Sequence, residues 1–215
     1  MKITNESIAV VFTVIIIAIF IALPSPKSVR VVEAIKDNNT PKALKLIEDS
    51  TAEELNKPTH GAVIDFFLSI IDADGADYPI IAAANANNLE VVDALIEKGV
   101  DLDVKDSVVE NTALIEACDS ISKDRFKTAI KLIDGGADVD ATNYYEKRAL
   151  DYVLVKDEAT MDKTELDERA ETIIKIVEHS EYYNDDDNYS KLKEELLFKK
   201  DADIVEILDK KRQRL

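Results

Sequence analysis

Histidine and cysteine, the side chains used most readily for acid–base and nucleophilic chemistry near neutral pH, are scarce in this chain of 215 residues. The candidates are two histidines, His60 and His179, and one cysteine, Cys118. An active site needs a nucleophile, a base and a group that orients the base, and no such constellation can be assembled around these residues. His179 ends a predicted helix, where a positively charged ring is favoured, and Cys118 occupies a small-residue position typical of a buried, inert thiol. We therefore expect a protein that is not an enzyme.

A second candidate for chemistry is the acidic run NDDDN at 184–188, which partly matches a calcium loop. Together with Glu195 it supplies oxygen ligands at the first, third, fifth and twelfth positions of such a loop. The sixth position, where the loop requires Gly, holds Tyr189, and the usually apolar eighth position holds Lys191. An acidic, solvated connection explains the run more simply. We predict no metal site and no cofactor, and a calcium-responsive accessory protein remains an alternative.

The overall charge limits the classes of partner. Asp and Glu number 44 against 27 Lys and Arg, giving a net charge of -17. A nucleic-acid backbone would be repelled by such a chain, whereas a basic protein would be attracted. With 46% hydrophobic residues, 5 Gly, 5 Pro and no Trp, the composition favours helices over a turn-rich β fold.

An internal repeat organises the middle of the chain. Residues 78–103 read YPIIAAANANNLEVVDALIEKGVDLD, and a second unit begins 34 residues later at Thr112 with TALIEACDSI. The second unit closes with GADVD at 136–140, which repeats GVDLD at 99–103 after 37 residues. This pattern resembles the ankyrin repeat, apart from Tyr78 in place of Thr and Ile81 in place of His. The matching positions are Pro79, Ile80, Ala83, Ala84, Glu90, Val91, Val92, Leu95, Ile96, Gly99 and Asp101.

The resemblance implies an all-α fold, an ankyrin-repeat solenoid of stacked helix-turn-helix units over 28–215. The clearest repeats are 78–106 and 112–141, with an insertion between the two helices of the second. A divergent repeat covers 148–179, where the charged stretch 156–169 is predicted as a longer insertion and the second helix as 171–179. Apolar residues at helical spacing predict capping helices at 28–49 and 190–210, since solenoid ends need polar outer faces. An apolar helix at 60–72 does not fit the repeat pattern.

A single N-terminal hydrophobic helix is predicted before the repeats. Ile8–Leu23 contains sixteen residues, of which only Thr13 is polar. A membrane span takes about 20 helical residues, and the residues after this segment make a poor signal-cleavage site. Residues 1–27 are therefore predicted to be a membrane anchor, and the chain a single-pass membrane protein with the side of the repeats undetermined. Export after signal cleavage is the alternative.

The resemblance further implies a protein–protein interaction module that binds through its concave face and the turns between repeats. The predicted partner-binding residues are Asp103, Lys105, Asp106, Asp140, Asn143, Tyr144, Tyr145 and Glu146. The inner helices place Ala82, Asn85, Glu116, Asp119 and Tyr152 beside them. Exposed tyrosines are frequent interface hot spots, although one of Tyr144 and Tyr145 could instead pack on the next repeat. An inhibitor or immunity-type protein that neutralises a basic toxin or enzyme is the other alternative.

Overall fold

A computed structural model describes residues 25–59, 78–155, 161–199 and 201–213, and the regular structure of these residues is entirely helical. The all-α prediction is therefore confirmed for this part of the chain. The predicted hydrophobic segments at 8–23 and 60–72, and His60, lie outside it. The helices are α1 (Lys27–Lys36), α2 (Thr40–Glu48), α3 (Ala52–Leu55), α4 (Pro79–Asn85), α5 (Leu89–Lys98), α6 (Ala113–Asp119), α7 (Arg125–Asp134), α8 (Ala149–Val155), α9 (Lys163–His179), α10 (Asp186–Phe198) and α11 (Ala202–Arg212).

The helices pack as two layers. An inner layer runs α1, α4, α6, α8, and an outer layer runs α2, α5, α7, α9, with each helix contacting the next one in its layer. Each inner helix also packs on the outer helix that follows it in the chain. At the end of the stack α11 packs on α9, and α10 packs on α11. This is the stacked helix-turn-helix arrangement that the repeat predicts.

Small residues and helix-ending signals explain why these segments stack. Ala83, Ala84 and Ala117 are completely buried, so the inner helices can approach one another closely. The side chain of Asn88 accepts a hydrogen bond from the amide of Val91 at 3.3 Å and caps α5 at its N terminus. Gly99 ends the same helix in the left-handed conformation with φ +74°, a geometry that Gly adopts at little cost.

Residues 163–169, predicted as part of an insertion (156–169), are helical. Helix α9 begins at Lys163 rather than at 171, because Asp162 and Glu165 form a reciprocal capping box at its N terminus. The charged residue Arg169 is only 1% exposed and lies inside the fold. The high density of charged residues in this stretch favoured the prediction of a loop, whereas residues 163–169 form the first turns of α9 and some of their charged side chains are buried.

The C-terminal helix pair is attached through that buried arginine. Arg169 donates from both terminal guanidinium nitrogens to one carboxylate oxygen of Asp201, each at 3.1 Å. Asp201 precedes α11, and its side chain makes this ion pair instead of capping the helix. The pair therefore joins α9 to the start of α11.

The prediction of a single-pass membrane protein is contradicted. Within the residues that the structure describes, no helix has the length and apolarity needed to cross a membrane. The longest, α9, has 17 residues and is rich in Lys, Arg, Asp and Glu, whereas a span needs about 20 mostly apolar residues. Segment 8–23, on which the prediction rested, lies outside the described residues.

Candidate binding surface

Two loops of similar structure connect the repeats, and we call them finger loop 1 (residues 101–111) and finger loop 2 (138–147). Each begins with the same local turn. The amide of Asp103 donates to the side chain of Asp101 at 3.0 Å, and the amide of Asp140 donates to that of Asp138 at 2.9 Å. The two loops are also joined, since the amide of Asp138 donates to the carboxylate of Asp103 at 2.8 Å. These aspartates fix the loops in place.

Asp140 continues this connection toward the C-terminal part of the chain. Its carboxylate accepts hydrogen bonds from the hydroxyl of Ser180 at 2.5 Å, the amide of Glu181 at 2.7 Å and the amide of Tyr182 at 3.1 Å. The side chain is half-buried. Asp140 thus holds the end of α9 against finger loop 2.

Asp106 organises finger loop 1 from the inside. Its carboxylate accepts hydrogen bonds from the amides of Val108 at 2.7 Å, Val109 at 2.8 Å and Asn111 at 2.8 Å. The residue is only 3% exposed. A carboxylate that accepts several backbone N–H groups in this way is a rigid structural element.

Asn143 plays the corresponding role in finger loop 2. Its side-chain oxygen accepts from the amides of Tyr145 at 3.0 Å and Lys147 at 3.1 Å. Its amide nitrogen donates to the side-chain oxygen of Asn111 and to the hydroxyl of Tyr152, both at 2.8 Å. The residue is 5% exposed. Asn143 therefore ties finger loop 2 both to finger loop 1 and to the inner helix α8.

The hydrogen-bond network continues across the inner layer through Glu116. The side chains of Asn111 and Asn85 donate to its two carboxylate oxygens at 2.7 Å and 3.2 Å. Burial is the main cause that raises the pKa of Glu116 above its usual value, and the charges of Asp106 and Asp119 add to the effect. A partly desolvated carboxylate therefore lies where the finger loops meet the inner helices.

Tyr144 and Tyr145, the tyrosine pair, lie exposed on finger loop 2. Their side chains are 70% and 62% exposed, and their rings meet edge to face with centroids 5.4 Å apart. The amide of Tyr144 donates to the carbonyl of Val109 in finger loop 1 at 2.9 Å. Neither ring is buried against the following repeat, so the alternative in which one of them packs there is wrong.

Two exposed glutamates occupy unusual backbone positions on the same loops. Glu110 has φ +58° and Glu146 has φ +57°. Residues other than Gly, Asn and Asp rarely adopt this left-handed conformation. Lys105 of finger loop 1 connects the two loops. Its ammonium group donates to the carbonyl of Thr142 in finger loop 2 at 2.6 Å and lies 4.0 Å from the carboxylate of Glu110 in its own loop.

An open cleft lies beside the network at the ends of α4 and α6. Its volume is about 480 Å³. Its lining is mostly polar and includes Asn85, Asn87, Glu116, Asp119, Ser120 and Ile121. Asn87 is held in the left-handed conformation with φ +49° and donates to the hydroxyl of Ser120 at 2.8 Å. Ile121 is 94% exposed at this site, an unusual exposure for a large aliphatic side chain.

The structure divides the eight predicted partner-binding residues into two groups. Lys105, Tyr144, Tyr145, Glu146 and Asp103 are exposed, although the carboxylate of Asp103 also joins the two loops. The remaining three are buried or half-buried and are engaged in the loop-fixing contacts described above. Those three are Asp106, Asp140 and Asn143. A partner contact by any of the eight stays a prediction. The sequence reasoning did not single out Asn111, Glu110 or Asn87, because single polar residues in loops carry no periodic signal.

The candidate calcium run does not form a loop. Residues 182–184 are a short 3-10 turn, and α10 begins at Asp186. The side chain of Asp185 accepts a hydrogen bond from the amide of Asn188 at 3.0 Å and caps this helix. Among the described residues there is no group of three or more His, Cys, Asp or Glu arranged to hold a metal ion. The calcium-responsive alternative therefore has no support from the geometry.

Comparison with protein families finds a match over the first part of this stack. A family profile for ankyrin repeats matches residues 32–143 in three copies. The chain belongs to the ankyrin-repeat family. The match begins within α1, so most of the N-terminal helix pair predicted as a cap (28–49) falls inside the matched range, and the match ends at Asn143. No curated protein matches the chain. Ankyrin-repeat proteins generally mediate protein–protein interactions without catalysis.

Proposed function

We propose that this ankyrin-repeat protein is a non-catalytic interaction module that binds a protein partner through the finger loops and the adjoining inner-layer face. The observation that supports it is the tyrosine pair, 70% and 62% exposed. Tyrosine offers a large apolar area with a polar hydroxyl, and it loses little side-chain entropy on binding. Tyrosines held at an exposed loop are therefore suited to be hot spots.

The loop that carries the tyrosine pair is preorganised, which supports the same proposal. Asn143 accepts two backbone amides of finger loop 2, and the amide of Tyr144 is bonded to finger loop 1 at 2.9 Å. A loop that is already ordered loses less conformational entropy when a partner binds. The ordered backbone of finger loop 2 and the exposed side chains of the tyrosine pair together favour a role in binding over a purely structural role.

Affinity capture from native extract with the full chain tests the proposal. Wild-type bait is compared with the double variant Tyr144→Ala/Tyr145→Ala, and Phe198→Ala is the matched control. Phe198 is 87% exposed and is the last residue of α10, a helix that belongs neither to the finger loops nor to the inner layer. Loss of a hot spot worth ~2 kcal/mol weakens binding about thirtyfold.

We expect a protein that the wild type and Phe198→Ala capture equally and that the double variant loses. A protein retained by the double variant, or lost equally with Phe198→Ala, would contradict the assignment of the surface. The net charge of -17 favours a narrower form of this function, an inhibitor of a basic toxin or enzyme. In that form, adding the purified ankyrin protein abolishes the activity of the captured partner.

A further inference from the structure

The tyrosine pair differs from two other tyrosines of this chain, Tyr182 and Tyr189, in what lies against the rings. The guanidinium of Arg148 lies 3.8 Å from the ring centre of Tyr182, and that of Arg212 lies 4.4 Å from the ring centre of Tyr189. Within the described residues, the tyrosine pair has no such cation and its rings contact each other. Aromatic faces attract cations, above all the flat guanidinium group. The exposed pair therefore offers a site for a cation from outside the chain.

Charge is distributed unevenly around this pair. The two finger loops carry seven carboxylates against two lysines. The inner helices α4, α6 and α8 add three carboxylates and no Lys or Arg, whereas the outer helices α5, α7 and α9 carry nine carboxylates and seven Lys or Arg. Of the two finger-loop lysines, Lys105 is already bonded to the carbonyl of Thr142 at 2.6 Å. The finger loops and the inner helices α4, α6 and α8 are therefore strongly acidic, even when Arg148 between finger loop 2 and α8 is counted, while the outer helices α5, α7 and α9 are nearly balanced.

The cleft provides room for a long basic side chain. Its volume of about 480 Å³ is open to solvent, and Glu116 and Asp119 are among its lining residues. Glu116 is already held by two amide hydrogen bonds, which orient its carboxylate before any ligand arrives. The exposed side chain of Ile121 gives the methylene stem of a Lys or Arg an apolar surface to pack on.

We propose that the partner presents a basic, arginine-containing segment to this face. One guanidinium stacks on the tyrosine pair, and a second basic side chain enters the cleft beside Glu116. This inference rests on the proposed function and specifies its partner. Helix α1 is itself basic, with Lys27, Arg30 and Lys36 against Glu33, so the segment lies along α4, α6 and α8 and does not extend over α1.

Fluorescence anisotropy with defined peptides tests the proposal on the full chain. The probe is a fluorescein-labelled nine-residue peptide of alternating Arg and Ser, compared with the same peptide carrying Lys or Glu in place of Arg. We expect the Arg peptide to bind roughly fivefold more tightly than the Lys peptide, because Arg stacks better on aromatic rings. We expect no binding of the Glu peptide. Affinity should fall steeply as salt is raised.

The variants distinguish peptide binding at this surface from non-specific electrostatic attraction to an acidic protein. Tyr144→Ala/Tyr145→Ala and Glu116→Gln should each weaken binding of the Arg peptide about tenfold or more. Glu97→Gln is the matched control, because it removes the same charge from an exposed position on the outer helix α5. If Glu97→Gln weakens binding as much as the other variants, the attraction is diffuse and the proposal is overturned.

A competition measurement distinguishes failure of this inference from failure of the proposed function. The Arg peptide should displace a partner that is captured in a tyrosine-dependent manner. A partner that needs the tyrosine pair but is not displaced by the Arg peptide overturns the basic-segment proposal and leaves the binding-module function standing. If no capture depends on the tyrosine pair, both are overturned.

Discussion

Replacing Asn143 with Ala separates a loop-fixing role from a direct role in binding. Sequence reasoning placed Asn143 among the partner contacts, whereas the structure buries it and uses all of its side-chain hydrogen-bonding groups internally. The variant loses four hydrogen bonds and leaves the side-chain oxygen of Asn111 without its donor. We expect finger loop 2 to loosen and the folded state to lose stability.

The expected loss of stability depends on which hydrogen-bonding groups remain shielded from water in the variant. A hydrogen bond contributes about 1 kcal/mol net, and a buried group left unsatisfied costs about 1–3 kcal/mol. The amides of Tyr145 and Lys147 belong to exposed residues, so water can replace part of what they lose. We expect the free energy of unfolding to fall by about 2–3 kcal/mol, which lowers the melting temperature by roughly 5–10 °C for a chain of this size.

Urea unfolding gives the free energy, and hydrogen exchange shows where the loss is located. The amides of Tyr145 and Lys147 should exchange faster in Asn143→Ala than in the wild type. Tyr145→Ala is the control within the same loop: its ring is 62% exposed, so stability should change by about 0.5 kcal/mol or less while binding is lost. An Asn143→Ala variant with wild-type stability and exchange but no binding would refute the loop-fixing argument.

Three further perturbations test other parts of the structure. Glu146→Gly should raise the free energy of unfolding by about 0.5–1 kcal/mol in urea titration, because Gly accepts φ +57° without the steric cost that Glu bears; a loss of stability would mean that the glutamate side chain makes a stabilising contact. Asp201→Ala should lower it by about 2–3 kcal/mol, because the guanidinium of Arg169, which is 1% exposed, loses two charge-assisted hydrogen bonds to a carboxylate; a change below about 1 kcal/mol would contradict this. Burial raises the pKa of Glu116 in the folded state above its usual value of 4.5, so its contribution to stability is fully present below that value and is lost as pH rises through the folded-state pKa. Melting temperatures of wild type and Glu116→Gln are compared from about pH 4 to about pH 7. As the pH falls, the melting temperature of the wild type should rise relative to that of the variant, and a difference that stays constant with pH would rule the effect out.

Part of the candidate binding surface could be predicted because it follows the repeat. Once the Gly and Asp positions of two units were aligned, the residues after each Asp were identified as turns between repeats, and Tyr144 and Tyr145 were placed on one of them. Their exposure of 70% and 62% agrees with that placement. The buried roles of Asp106 and Asn143 could not be predicted, because polar residues in turns are usually solvated and nothing in their spacing shows which of them point inward.

The sequence by itself determined the helical repeat, since the apolar and small residues of the paired helices recur with a period that only stacked units can bury. It also determined the acidic charge and the positions of the turns. Only the tertiary structure decided which charged residues are structural. Arg169 and Asp201 are distant in sequence and meet at 3.1 Å, and Asn85, Asn111 and Asn143 form one network across three repeats. The physical reason is that a hydrogen bond or an ion pair depends on distances of about 3 Å between side chains from different elements, and a local sequence pattern specifies faces of helices but not those distances.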